Sequence, residues 1–170
     1  GQKKYDQARE IYLEVISHSQ PDDRIYTTSL FLSGNCLMKK ADYVQGLDGQ
    51  AAAQLREQGR ESMRQYLDLP EKHSIDCRIW AHYYLGQYEE LEQAAQEYLN
   101  SGVKVIPKDF GEIMLMVGIA RASKSPQDLA GAREALDAVL AADIADGENL
   151  ENHLKTRAAF WGIHTAKMQG

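Results

Sequence analysis

The stretch Gly59-Arg60-Glu61-Ser62-Met63-Arg64-Gln65-Tyr66-Leu67-Asp68-Leu69-Pro70 sets a small residue four positions before a large one and then closes with a proline. The same arrangement occurs as Ala8 with Tyr12 ahead of Pro21, and as Ala132 with Leu136 ahead of Asp146-Gly147. A spacing of four puts both side chains on one face of a helix, where the small residue admits a neighbouring helix and the large one fills the space beside it. Three copies in one chain predict helices built to stack on one another.

A second pattern alternates with the first. Leu30, Ser33-Gly34 and Leu37 precede the Gly59 helix, and Met114, Val117-Gly118 and Arg121 hold the corresponding places before the Ala132 helix. In these residues the chain resembles the tetratricopeptide-repeat (TPR) family, whose unit is a helix pair of about 34 residues, a W-x2-L-G-x2-Y half followed by an A-x3-F half and a proline. The resemblance spans nearly the whole chain, in degenerate form. It implies an all-α fold, a right-handed superhelical stack of antiparallel helix pairs (an α-α solenoid) with about eight helices.

The totals suit that expectation. The 170 residues suffice for one elongated domain whose core lies between stacked layers. Hydrophobic residues make up 44% and charged residues 26%, with four prolines, which excludes disordered and fibrous classes. The net charge of −6 is concentrated in residues 73–170, where 14 acidic groups face 9 basic ones, and such a surface repels phosphate backbones, so nucleic acid is not an expected partner. No apolar run approaches the length needed to span a bilayer, so no direct membrane insertion is expected. Cys36 and Cys77 stand far from any CxxC or CxxH spacing and read as small buried hydrophobes. Unpaired cysteines favour the cytoplasm, and an envelope location stays open if a targeting segment was removed.

Periodicity and turn signals predict helices over about Tyr5–His18, Arg24–Lys40, Ala51–Leu69, Ile75–Leu85, Glu89–Asn100, Phe110–Ser123, Gln127–Ala142 and Leu150–Met168. The first should bury Ala8, Ile11, Tyr12, Val15 and Ile16, and the seventh Leu129, Ala132, Leu136, Val139 and Leu140. Residues 41–50 are expected to form an inserted loop. Arg56, Arg60 and Arg64 interleave with Glu57 and Glu61, a spacing that describes a solvated, self-paired face. Ser74 is the expected cap of the fourth helix, Asp109 with Glu112 a capping box for the sixth, and Ser125 with Pro126 the start of the seventh. The apolar residues of the linker 101–108 should pack down.

Divided on this basis, residues 1–170 form a single repeat domain, a fragment of a longer protein. It comprises a half repeat (1–21), repeats at 22–72, 73–107 and 108–147, and a terminal or capping helix (148–170). Gly86-Gln87-Tyr88 resembles the family's inter-helix turn, but counting from Tyr88 places Leu91 where the family has alanine and Ala95 where it has the large residue. Trp80 therefore need not be the family tryptophan.

No enzymatic constellation is visible. His18, His73, His82, His153 and His164 form no HExxH or paired-ligand motif, although His153 and His164 can share a helix face. Acidic pairs such as Asp22-Asp23 and Glu89-Glu90 sit at helix starts, where they complement the dipole. No nucleophile stands at a readable spacing from a base, and no glycine-rich loop cradles a phosphate. The expectation is no catalysis, no cofactor and no metal.

The resemblance implies a surface instead, because first helices of TPR pairs line a concave groove that binds peptides. Carried over, the groove draws on Phe31, Asn35 and Lys39, on Trp80, Tyr83 and Tyr84, and on Leu115, Met116 and Ile119, with a core role as the alternative for Leu115 and Ile119. Adjacent helical positions diverge by about a quarter turn or more, so only one of Tyr83 and Tyr84 should face inward. The family's clamp for acidic C-terminal tails is matched only by Asn35 and Lys39, with Phe31 where a basic residue belongs. The expected partner is a protein or a hydrophobic peptide segment. Two other readings stand beside it: a structural spacer that forms a homodimer through the open repeat end beside Ala8 and Tyr12, and a docking arm of a larger enzyme or envelope protein.

Overall fold

The computed structural model describes residues 2–70, 74–102, 105–143 and 148–168, and among them it contains eight helices and no strand. They are α1 (Gln2–His18), α2 (Arg24–Val44), α3 (Gly49–Leu67), α4 (Ile75–Leu85), α5 (Tyr88–Asn100), α6 (Pro107–Ser123), α7 (Leu129–Ala141) and α8 (Glu148–Met168). The all-α class is therefore established. His73, Val103, Lys104 and the Asp146-Gly147 turn lie outside the described residues. Two compact units divide the chain, residues 1–85 and 86–170, with the boundary inside the expected repeat 73–107.

In the first unit, α1 packs on α2, α2 on α3, and α3 on α4. Asp6, near the start of α1, meets Lys40, near the end of α2, at 2.6 Å, so these helices run antiparallel. Gly34 faces Gly59 and Met63 while Asp42 faces Arg56, which sets α2 antiparallel to α3. A Cβ on Gly34 would lie 2.8 Å from the Ser62 Cβ, and one on Gly59 would lie 2.7 Å from the Met38 Sδ. The two glycines thus let the backbones touch, and the helix stability they forgo, roughly 1 kcal/mol each, is offset by the packing that closeness permits. Leu30, Phe31, Met63, Tyr66, Cys77 and Ala81 form the core beside this crossing.

In the second unit, α5 packs on α6, and α6, α7 and α8 pack on one another. Gly118 meets Ala132 and Leu136 of α7: its absent Cβ would stand 2.7 Å from the Leu136 Cγ and 3.3 Å from the Ala132 carbonyl. Leu91, Leu115, Leu136, Val139, Leu154 and Ala158 are buried here. On α8 the Leu154, Ala158 and Thr165 side chains face inward, with Trp161 half-buried.

Several local expectations are corrected. Residues 41–50 are not a loop: α2 continues to Val44 and α3 starts at Gly49, leaving only 45–48 between them. The cause is apolar continuity, because Ala41 and Val44 bury against Ala52, while Asp48 caps α3 by accepting the Ala51 N–H at 2.9 Å. Ile11 is 60% exposed because, among the described residues, α1 packs on α2 alone, and Leu140 also faces solvent. Helix α6 begins at Pro107, in the favoured first-turn position, so Asp109 lies inside its first turn instead of capping it. Asp128, not Ser125, caps α7: its carboxylate accepts the Gly131 N–H at 2.8 Å, and its own N–H bonds back to the Arg121 carbonyl. In the linker, Ile106 is exposed. Gly86 and Gly102, with φ of +72° and +74°, occupy the left-handed conformation that ends α4 and α5.

Candidate functional site

Asn35 and Lys39 lie one turn apart on α2 and each engages an aromatic residue of α4. The Tyr84 hydroxyl donates to the Asn35 Oδ1 at 2.9 Å, and the Lys39 ammonium sits 5.4 Å from the centre of the Trp80 ring. Trp80, Tyr83 and Tyr84 are all half-buried, correcting the expectation that only one tyrosine faces the cluster. Positions 80, 83 and 84 are i, i+3 and i+4 on a helix, so both tyrosines flank the tryptophan. Their rings stand 5.9 Å and 5.6 Å from Trp80 and 5.7 Å from each other. From α3, Arg60 donates to the Tyr84 carbonyl at 3.2 Å, satisfying an acceptor in the last turn of α4. The result is an aromatic face with a lysine at its edge.

The other expected groove residues fall elsewhere. Phe31 is 4% exposed, its ring 5.5 Å from Tyr66 in the core of the first unit. Leu115, Met116 and Ile119 are buried in the core of the second unit, since α6 has neighbours on several sides. Their apolar character serves packing, and none of these four offers surface to a ligand.

The basic stripe of α3 pairs within the chain, as its spacing predicts. Arg64 meets Glu57 at 3.0 Å and Glu61 at 2.9 Å, Arg60 lies 3.8 Å from Glu57, and Arg56 reaches across to Asp42 at 3.1 Å. A second ionic group escapes sequence reasoning because its members are about 30 positions apart. Glu92 of α5 accepts from Arg121 at 2.9 Å and from Lys124 at 2.6 Å. Burial alone would raise the Glu92 carboxyl, but hydrogen bonds from Lys124 and Arg121 outweigh it and hold the group below its ordinary value. Its role is to bracket α5 onto α6.

Neither cysteine is poised for chemistry. Burial pushes the Cys77 thiol up to about 12, and it raises half-buried Cys36 against the opposing charge of Arg9. Among the described residues no group of three or more His, Cys, Asp and Glu could hold a metal ion, and no helix is long and apolar enough to cross a membrane. His164 stacks edge-on against Trp161 at 5.4 Å.

Compared with protein-family models, curated proteins and solved structures, the chain matches none.

Proposed function

We propose that this chain is a noncatalytic protein-interaction module of tetratricopeptide type, a right-handed stack of helix pairs that holds an apolar peptide segment or partner protein on the α2/α4 face. Antiparallel packing of α1 on α2 and of α2 on α3, and the small-residue crossings at Gly34/Gly59 and Gly118/Ala132, support the repeat reading. The observation that carries the binding role is the Trp80, Tyr83 and Tyr84 cluster, three large rings kept half-buried with Lys39 beside them. Rings already held in place by their neighbours lose little freedom on binding, which makes them effective anchors for apolar side chains. Lys39 supplies a donor for a peptide carbonyl or carboxylate next to that anchor.

Selection of a displayed random-peptide library on the folded chain tests this reading. The expected result is a consensus with an aromatic or branched aliphatic residue. Its affinity should fall by roughly thirtyfold, about 2 kcal/mol, in Trp80→Ala with helicity retained. A library that enriches no sequence over the Trp80→Ala control overturns the assignment.

A further inference from the structure

Beside the rings of α4, two acceptors are taken and several donors are left over. The Asn35 Oδ1 accepts the Tyr84 hydroxyl at 2.9 Å, and the Tyr84 carbonyl accepts the Arg60 N–H at 3.2 Å. Among the described residues, the Asn35 amide N–H groups and the Trp80 indole N–H have no hydrogen-bond partner, and neither is sealed from solvent. Lys39, exposed one turn from Asn35, adds an ammonium 5.4 Å from the centre of the Trp80 ring. Donors on three side chains therefore border one aromatic face.

That inventory selects among peptide conformations. A helical ligand has spent its carbonyls inside its own helix, and an ordinary extended peptide brings one N–H for each carbonyl. A proline brings a carbonyl without an N–H, and a proline-rich segment in the polyproline II conformation leaves its carbonyls free of internal bonds. Its backbone offers acceptors only, the complement of this face. The rings fit the same ligand. Trp80 and Tyr83 stand edge-on at 87° with centroids 5.9 Å apart, so their faces form a corner, and Tyr84 is inclined to Trp80 by 33°. A pyrrolidine ring is compact enough to fill such a corner, and its C–H groups beside the amide nitrogen favour the negative face of an aromatic ring. Polyproline II also arrives preformed, so little freedom is lost when it docks.

We propose that the partner held on the α2/α4 face is a proline-rich segment in the polyproline II conformation. Its pyrrolidine rings lie against Trp80 and Tyr83, an aliphatic residue beside the prolines meets the Tyr84 ring, and its carbonyls take the N–H groups of Asn35, Trp80 and Lys39. Such a ligand presupposes that this face binds peptides, the reading proposed above, and adds the class of peptide.

Fluorescence titration of the whole chain carrying Trp161→Phe, which leaves Trp80 as the single tryptophan, tests it. The probes are two peptides of about nine residues, three turns of polyproline II, one built of Leu-Pro-Pro repeats and the other of Leu-Ala-Ala repeats. The proline peptide should shift the Trp80 emission and bind at least about tenfold more tightly than the alanine peptide. Asn35→Asp keeps an acceptor for the Tyr84 hydroxyl and replaces the amide donor with an anion, so it should weaken the proline peptide by roughly tenfold. Should that variant lose helicity, Lys39→Met at its exposed position takes its place, with a loss of roughly threefold. Equal binding of the two peptides, or an affinity for the proline peptide that the donor variant leaves unchanged, overturns the proline assignment and leaves the peptide-binding reading standing. Tighter binding of a Leu-Asp-Asp peptide does the same, by assigning the donors to carboxylates. Binding of neither probe, with a displayed library that enriches other sequences, also overturns the ligand class alone; binding of neither with no enrichment removes both readings.

Discussion

The α2–α3 crossing and the α6–α7 crossing solve one packing problem at two lengths. In the first, glycine meets glycine between helices of 21 and 19 residues; in the second, Gly118 meets Ala132 between helices of 17 and 13 residues. The residues that meet are 25 positions apart in the first pair and 14 in the second. That surplus is spent on helix, adding the Ala41, Val44 and Ala52 contact beyond the crossing. A longer interface can carry two helix-weakening glycines, whereas the shorter one keeps an alanine and fills the space with Leu136. Insertion length alone does not reveal a loop when the inserted residues continue an apolar stripe.

The largest expected effect lies in the shorter pair. Leu136 is fully buried, and Leu136→Ala should cost about 3 kcal/mol, read as lost hydrogen-exchange protection in α6 and α7. The comparison sharpens in the double variant. With Leu136 truncated, the clash that a Gly118 Cβ would meet at 2.7 Å disappears, so Gly118→Ala should turn from destabilising to neutral or favourable in that background. Additive costs would break the claim that these two residues share one space.

A smaller effect separates the units by pH. The Glu92 carboxyl is held below its ordinary value in the fold, so its contribution is present above about pH 4.3 and is lost as the pH falls through the lowered folded value. Glu92→Gln should remove about 1 kcal/mol near neutrality and flatten that part of the acid unfolding curve. An unchanged acid limb in Glu92→Gln would show that the bracket of α5 onto α6 contributes nothing.

Much of this was legible in the sequence. The small-x3-large pairs at Gly59 and Ala132 mark the two crossings because a helix repeats its face every three to four residues. The self-pairing of Arg60 and Arg64 followed from spacing alone. The caps of α6 and α7 were misread because several polar residues compete near each start, and position relative to the preceding turn decides among them. The aromatic cluster of α4 was legible only in part. The contacts of Asn35 and Lys39 with α4 follow their helix spacing, whereas Phe31, Met116 and Ile119 are as apolar as any ligand anchor, and only tertiary packing makes them core.

The most direct test of this account is urea unfolding of three single variants, Gly34→Ala, Gly118→Ala and Gly162→Ala. The account predicts that the first two lose stability, by about 1–3 kcal/mol, because each new Cβ meets a neighbour below 3.0 Å, and that Gly162→Ala gains up to about 1 kcal/mol in open space. Equal gains at all three positions would contradict the covered crossings, and a loss at Gly162 would contradict the open face of α8.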